Sequence, residues 1–147
     1  SCNATKRDRD DTDFRKVAEA FEVREEGCIF CYPDREIVAE DDLSYVIRDG
    51  FPVTLGHSLV IPKRHVADYF GLFQPEINST SRLLHQLKEQ LVEDDPSISG
   101  FNVGMNSGTS AGQTVFHCHI HLIPRRDGDV DNPRGGVRGV IPLKQSY

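Results

Sequence analysis

The chain has 147 residues, with 17 Lys and Arg against 23 Asp and Glu and a formal net charge of −6 at pH 7. That length supports a single hydrophobic core, and the acidic balance excludes a protein that grips a nucleic-acid backbone through a broad basic footprint. No apolar run approaches the roughly 20 residues of a membrane span and the polar start lacks a signal-peptide pattern, so the expectation is a cytoplasmic domain without membrane or nucleic-acid partners.

Residues 1–26 read as a charged extension that opens with Lys6-Arg7-Asp8-Arg9-Asp10-Asp11. Behind Thr12 or Asp13 as a cap, Phe14, Val17, Ala18 and Phe21 fall at helical spacing and predict a short amphipathic helix. The domain proper covers residues 27–126. Ile37 to Glu40 and Ser44 to Ile47 read as two strands around the turn Asp41-Asp42, and His57 to Ile61 as a buried strand ended by Pro62. From Pro75 to about Glu93 the pattern is helical, with Ile77, Leu84, Leu87 and Leu91 on one face and Pro early, where a missing donor is tolerated. Phe101 to Asn106 and Val115 to Ile123 read as the last strands, joined by a loop of small residues at 107–112. Short-turn strands with one long helix predict an α+β domain built on a mostly antiparallel sheet of about five strands. Residues 127–147 form a Gly- and Arg-rich arm that is too poor in apolar residues for a core of its own. The arm either lies on the surface or folds over the preceding strand, where Arg134 or Arg138 could meet a phosphate.

That strand carries the most informative stretch, Phe116-His117-Cys118-His119-Ile120-His121-Leu122-Ile123-Pro124. In an extended chain, residues two apart share a face, so the three histidines would line one side and Cys118 the core side. They would span roughly 13 Å at ~3.3 Å per residue, too far to converge readily on one metal, so separate roles are expected. Imidazole is partly unprotonated at neutral pH and can attack phosphorus. Lys63-Arg64 and Arg125-Arg126 follow strands and could supply local positive potential for a small phosphate ligand, or simply be solvated strand ends.

A second constellation is Cys28-Ile29-Phe30-Cys31, with His65 and His117 downstream. Two thiolates and two imidazoles would satisfy a tetrahedral structural zinc. The alternatives are a redox pair, for which the pair should open a helix in a βαβ unit, an arrangement that Tyr32-Pro33 argues against, and a pair of buried thiols. Cys2 in the polar tail and His85 on the helix suggest no role.

The histidine run followed by Pro124-Arg125, together with Gly112-Gln113-Thr114-Val115, Asn106-Ser107-Gly108 and Gly56-His57-Ser58-Leu59-Val60-Ile61-Pro62-Lys63, resembles the histidine triad (HIT) family of nucleotidyl hydrolases and transferases. The likeness runs from about Cys28 to Arg126. It implies an antiparallel sheet with a helix across it, commonly as a homodimer. It also implies an adenine nucleotide or dinucleoside polyphosphate substrate and no organic cofactor. The middle histidine, His119, would attack the α-phosphorus and form a nucleotidyl-histidine. His121 would donate to a phosphate oxygen, Gln113 would hold the leaving-group side, and His57 would orient a neighbouring imidazole. Asp49 would bind ribose, while Asn106, Ser107, Gly112 and Thr114 would hold the substrate, with backbone amides of the glycine-rich loop near phosphate.

Members resembling the bacterial-type, diadenosine polyphosphate hydrolase-like branch carry one zinc per chain on the residues matching Cys28, Cys31, His65 and His117. Three function classes follow. A nucleotidyl hydrolase or transferase, with a purine nucleoside phosphoramidase as its near relation, uses His119. A zinc hydrolase would need the histidines together and a nearby carboxylate base, which the spacing disfavours. A non-catalytic nucleotide-binding module would not need His119.

Overall fold

A computed structural model of the chain describes residues 19–147. The predicted N-terminal helix therefore lies almost entirely outside the described residues. Five strands form one sheet: β1 (Ala39–Glu40), β2 (Ser44–Arg48), β3 (Ser58–Pro62), β4 (Ile98–Gly104) and β5 (Ile120–Arg126). Their order is β1-β2-β3-β5-β4 and every neighbouring pair is antiparallel. Among the described residues one long helix, α1 (Gln74–Asp94), packs across one face, so the α+β expectation holds. Among the described residues no helix is long and apolar enough to cross a membrane.

Alternation along the strands explains why both faces are buried. Val46, Val60, Ile120 and Leu122 meet Leu83, Leu87 and Leu91 of α1, while Tyr45, Ile47, Leu59 and Ile61 pack on the other side against Phe30. The buried face of α1 thus runs through Leu83 rather than Leu84, which only flanks it, and Ile77 joins a separate cluster with Val66, Leu72 and Cys118. Two adjacent leucines left the phase of the helix open, and the i, i+4, i+8 set Leu83-Leu87-Leu91 is the one that meets the sheet squarely.

The helix start is fixed by polar groups that composition does not reveal. Glu76 is fully buried, and its carboxylate accepts the Phe73 N–H at 2.8 Å and two Arg64 N–H bonds at 3.0 and 2.8 Å. Arg64 also lies over the Phe73 ring at 4.1 Å. Ser79 donates to Asp41 at 2.6 Å, tying the helix to the β1–β2 turn.

Strand boundaries differ from the sequence reading at β1, which starts at Ala39 rather than Ile37, and most at β4 and β5. β4 starts at Ile98 and ends at Gly104, with a register shift between Ile98 and Gly100. β5 starts at Ile120, so Val115 to His119 stand outside the ladder. Their polar groups find other partners. The Cys118 N–H donates to the Val66 carbonyl at 2.7 Å, and the carbonyls of Val115 and His117 accept from the side chains of Gln113 and His119. Only His121 of the three histidines is therefore held by sheet register.

Candidate functional site

His121 lies on β5 opposite Leu59 of β3 and Gly104 of β4, on the face away from α1. Behind it stands His57, 3 % exposed, placed at the head of β3. The Val53 N–H donates to Nδ1 of His57 at 3.1 Å, and Nε2 of His57 is 2.9 Å from Nδ1 of His121. A neutral His57 that accepts at Nδ1 carries its proton on Nε2, so it donates to Nδ1 of His121 and leaves the proton of His121 on Nε2. One backbone amide thereby sets the tautomers of two imidazoles.

Electrostatics favour the same neutral pair. Burial pushes His57 below the ordinary imidazole range, with Asp49 opposing. Burial does the same to His121, helped by His119 and His57 and opposed by Asp49. Asp49 sits in a turn, accepting the Phe51 N–H at 2.7 Å, with its carboxylate 3.4 Å from Nε2 of His57 and 3.9 Å from Nδ1 of His121.

His119 stands just before β5, its ring centroid 5.5 Å from His121 and 5.0 Å from Phe30. Its Nδ1–H donates to the His117 carbonyl at 2.8 Å, which leaves the Nε2 lone pair free. A nucleophilic nitrogen and an N–H donor thus sit on adjacent rings.

His117 goes elsewhere. Its ring is fully buried, and its Nδ1 lies 3.4 Å from the sulfurs of both Cys28 and Cys31, while Cys31 is 3.3 Å from Nδ1 of His65. One ligand atom from each of the four residues lies within 4.8 Å of the others. Tetrahedral zinc with bonds of about 2.3 Å to sulfur and 2.0–2.1 Å to nitrogen sets sulfur and nitrogen about 3.5 Å apart, close to what is seen. Both imidazoles are oriented for it: Nε2 of His117 donates to the Pro62 carbonyl at 2.7 Å and Nε2 of His65 meets Glu25 at 2.6 Å, so each offers an unprotonated Nδ1 to the cluster. Burial lowers His117 to about 4 and raises the Cys31 thiol. Thiolate ligands are stabilised by the cation they bind, and the donor set of two sulfurs and two unprotonated imidazole nitrogens fits a divalent metal. Cys118, by contrast, is raised to about 12 by burial and is an inert core thiol.

The loop before the histidines turns on Gly108 and Gly112, with φ of +89° and +90° around the single turn Thr109–Ala111, a conformation that L side chains resist. Gln113, 5 % exposed, holds this loop: its amide accepts the Gly108 N–H at 2.8 Å and donates to Ala67 and Val115 carbonyls at 2.6 and 3.2 Å. Asn106 and Thr114 are exposed, and the hydroxyl of Ser107 is buried without a hydrogen-bond partner among the described residues.

Four of the six candidate phosphate-binding cations are paired with carboxylates. Lys63 pairs with Glu40 at 3.0 Å, Arg64 with Glu76 and Arg125 with Asp129 at 2.8 Å, and Arg126 with Asp95 at 2.7 Å. Arg134 and Arg138 stack on Tyr147, and Arg138 also donates to the carbonyls of Lys144 and Gln145. The arm does fold back over the site, but with apolar side chains: a cavity of about 690 Å³ lies between His57 and His121 on one side and Val137 and Val140 on the other, and neither arginine lines it. Val53, Asn102 and the arm valines escaped sequence reasoning. Only the period-2 pattern linking Asn102 to Gly104 across from His121 hinted at one of them.

Comparison with known proteins gives a consistent outcome. The model of the HIT domain matches residues 33–128. A HIT-like protein of Mycoplasma genitalium is 39% identical over 108 residues, covering 67% of this chain and 73% of that one. The adenylylsulfatase HINT3 of Arabidopsis thaliana is 35% identical over 107 residues, covering 69% of this chain and 54% of that protein. Among solved structures, a zinc-bound histidine triad family protein from Mycobacterium smegmatis superposes with a TM-score of 0.63 at 34% identity, covering 70% of this chain and 78% of that one.

Proposed function

The chain belongs to the HIT family, and from that premise we propose that it is a nucleotidyl hydrolase or transferase that cleaves adenylylated substrates of the diadenosine polyphosphate type at the α-phosphate through His119. The observation that carries the reading is the fixed tautomer pair: an unprotonated Nε2 on His119 beside a protonated Nε2 on His121. In the first step Nε2 of His119 attacks the α-phosphorus, the bond from phosphorus to the bridging oxygen breaks, and the leaving group departs with its electron pair. In the second, water attacks, the phosphorus–nitrogen bond breaks with its pair returning to Nε2, and the proton from water passes to solvent as the nucleoside monophosphate is released. Splitting one displacement into two is the general advantage of covalent catalysis.

Since Lys63, Arg64, Arg125 and Arg126 are already paired, charge on the phosphate falls to neutral N–H and O–H donors. His121 donates from Nε2, the loop at Gly108 to Gly112 offers backbone amides, and the orphan Ser107 hydroxyl has a bond to give. Asp49 would hold ribose, with Asn106 and Thr114 at the rim. Gln113 would serve by keeping the amide loop in shape. The relative named adenylylsulfatase supports an adenylyl group on the substrate.

Cys28, Cys31, His65 and His117 would hold one zinc ion per chain, which supplies a crosslink between the N-terminal segment and the residues before β5. A homodimer in the cytoplasm completes the reading. Incubation with a panel of adenylated substrates and mass detection of a nucleotidyl adduct on His119 tests it. His119→Ala should abolish turnover and adduct while nucleotide binding persists, and an unchanged rate in that variant would end the proposal.

A further inference from the structure

A zinc hydrolase would need imidazoles and a carboxylate together, and apart from the sulfur cluster the fold does bring such a set together. Among the described residues two groups have ligand atoms that all lie within 4.8 Å of one another: Cys28, Cys31, His65 and His117, and Asp49, His57 and His121. In the second, Nε2 of His57 is 2.9 Å from Nδ1 of His121, and the Asp49 carboxylate is 3.4 and 3.9 Å from those two nitrogens. Tetrahedral zinc with bonds of about 2.0–2.2 Å to nitrogen and oxygen sets such atoms roughly 3.4 Å apart. The three distances bracket that value, and two imidazoles with one carboxylate are a sound donor set for zinc. Spacing alone does not tell the two groups apart.

The partners behind the rings do. A ligating imidazole turns its lone pair to the ion and gives its N–H to an acceptor on the far side. Behind His117 stands the Pro62 carbonyl at 2.7 Å and behind His65 the Glu25 carboxylate at 2.6 Å, both acceptors. Behind His57 stands a donor, the Val53 N–H at 3.1 Å. The proton of His57 is therefore on Nε2, directed at Asp49 and His121, where an ion would have to sit. Seating an ion there demands one of two costly states. Either His57 becomes an imidazolate with no proton on either nitrogen, or it takes the other tautomer and two N–H groups face each other at 3.1 Å.

The Val53 amide is also held in its loop between β2 and β3. The Asp49 N–H donates to the His57 carbonyl at 3.0 Å and the Asp49 carboxylate accepts the Phe51 N–H at 2.7 Å. On the other side the Thr54 hydroxyl donates to the Pro124 carbonyl at 2.8 Å, and Arg126 donates to the Leu55 carbonyl at 2.9 Å. Turning the Val53 N–H away from His57 would disturb bonds on both sides of it.

We propose that the Val53 backbone amide is a selectivity element that excludes divalent metal ions from Asp49, His57 and His121, leaving the sulfur cluster as the place where this chain takes zinc. The exclusion follows from hydrogen-bond polarity and does not depend on the reaction. On the nucleotidyl-transfer reading its benefit is that Asp49 stays free for ribose and the proton of His121 stays on the nitrogen that meets phosphate.

The test counts zinc ions per chain by native mass spectrometry during a zinc titration of the full chain. The Val53 N–H is removed in two ways, by an amide-to-ester replacement that keeps the valine side chain and by Val53→Pro. Both altered chains should take one more ion than the unaltered chain, with an affinity at least about tenfold above any that the unaltered chain shows at these three residues. Adding His121→Ala should remove that extra ion. The count is a difference between chains, so it holds whether or not the sulfur cluster is loaded. Thermal melting identifies a proline variant that fails to fold, and the ester, which exchanges one N–H for oxygen, then decides alone. An unaltered chain that takes an ion lost in His121→Ala overturns the proposal. A folded ester chain that takes no extra ion, or one that survives His121→Ala, overturns it too. Absence of a nucleotidyl adduct on His119 would end the transfer reading and leave these counts untouched.

Discussion

Replacing His57 by Ala separates orientation from chemistry. His57 touches no substrate atom in the proposed reaction; it passes the directionality of the Val53 amide to His121 through bonds of 3.1 and 2.9 Å. Losing the second bond removes a neutral hydrogen bond worth about 0.5–1.5 kcal/mol, which at 1.36 kcal/mol per factor of ten leaves the productive His121 tautomer disfavoured by about two- to thirteen-fold. Turnover of an adenylated substrate should fall by that factor, while loss of the nucleophile in His119→Ala removes it. Stability pays separately, because the Val53 donor loses its acceptor at a cost of about 1–3 kcal/mol. His57→Gln, whose amide can accept from Val53 and donate to His121, should recover most of the rate. The readouts are kcat against pH and a thermal melt. The acid limb should lie below the ordinary imidazole value in the unaltered protein, since burial lowers both histidines, and should move in His57→Ala. A loss equal to that of His119→Ala, or no loss with an unmoved acid limb, would refute the tautomer relay.

Metal removal should destabilise the fold without entering the chemistry. At 100–1,000 times its Kd, a bound ion contributes about 2.7–4.1 kcal/mol, so chelation should lower Tm by roughly 5–16 °C at about 2–4 °C per kcal/mol, and Cys31→Ser should copy the effect; a melt indifferent to chelation in metal-loaded protein would count against the site. Glu76→Ala strands the Arg64 guanidinium and the Phe73 N–H and should cost about 3–5 kcal/mol, measured by urea unfolding. Stability against acid follows from the two lowered histidines. Their folded values lie below the unfolded one, so the unfolded state binds more protons and their contribution, complete above the ordinary value near ~6.5, is lost as pH falls through the lowered values. Unfolding midpoints in His57→Gln should show a shallower loss over that window.

Alternation of apolar residues made the strands and the long helix legible, because burial on one or both faces writes a period directly into the chain. Buried polar anchors were not, since nothing in the periodicity marks Glu76 as a fully enclosed carboxylate or Asn102 as a donor held by Arg125. The basic pairs misled for a related reason: Lys63, Arg64 and Arg126 stand near the site in sequence, but the fold brings them to Glu40, Glu76 and Asp95 of other segments, while Arg125 pairs with Asp129 only four residues on. The four sulfur and nitrogen donors were legible as a set, and their convergence is a tertiary fact.

The histidine run is where local and tertiary constraints part. A regular strand repeats every two residues, so His117, His119 and His121 on continuous β-structure would share one face at steps of about 6.6 Å, and register alone would not turn one ring away from the other two. The ladder instead begins at Ile120. Freed from pairing, the segment before it turns the His117 ring into the sulfur cluster and spends the His117 carbonyl on Nδ1 of His119. The bond that fixes the proposed nucleophile is thus made by the backbone of the residue that the metal would anchor. A metal at Cys28, Cys31, His65 and His117 would therefore act on the reaction only through the position of that one carbonyl, and His119 owes its free Nε2 to the strand starting one residue too late to include it.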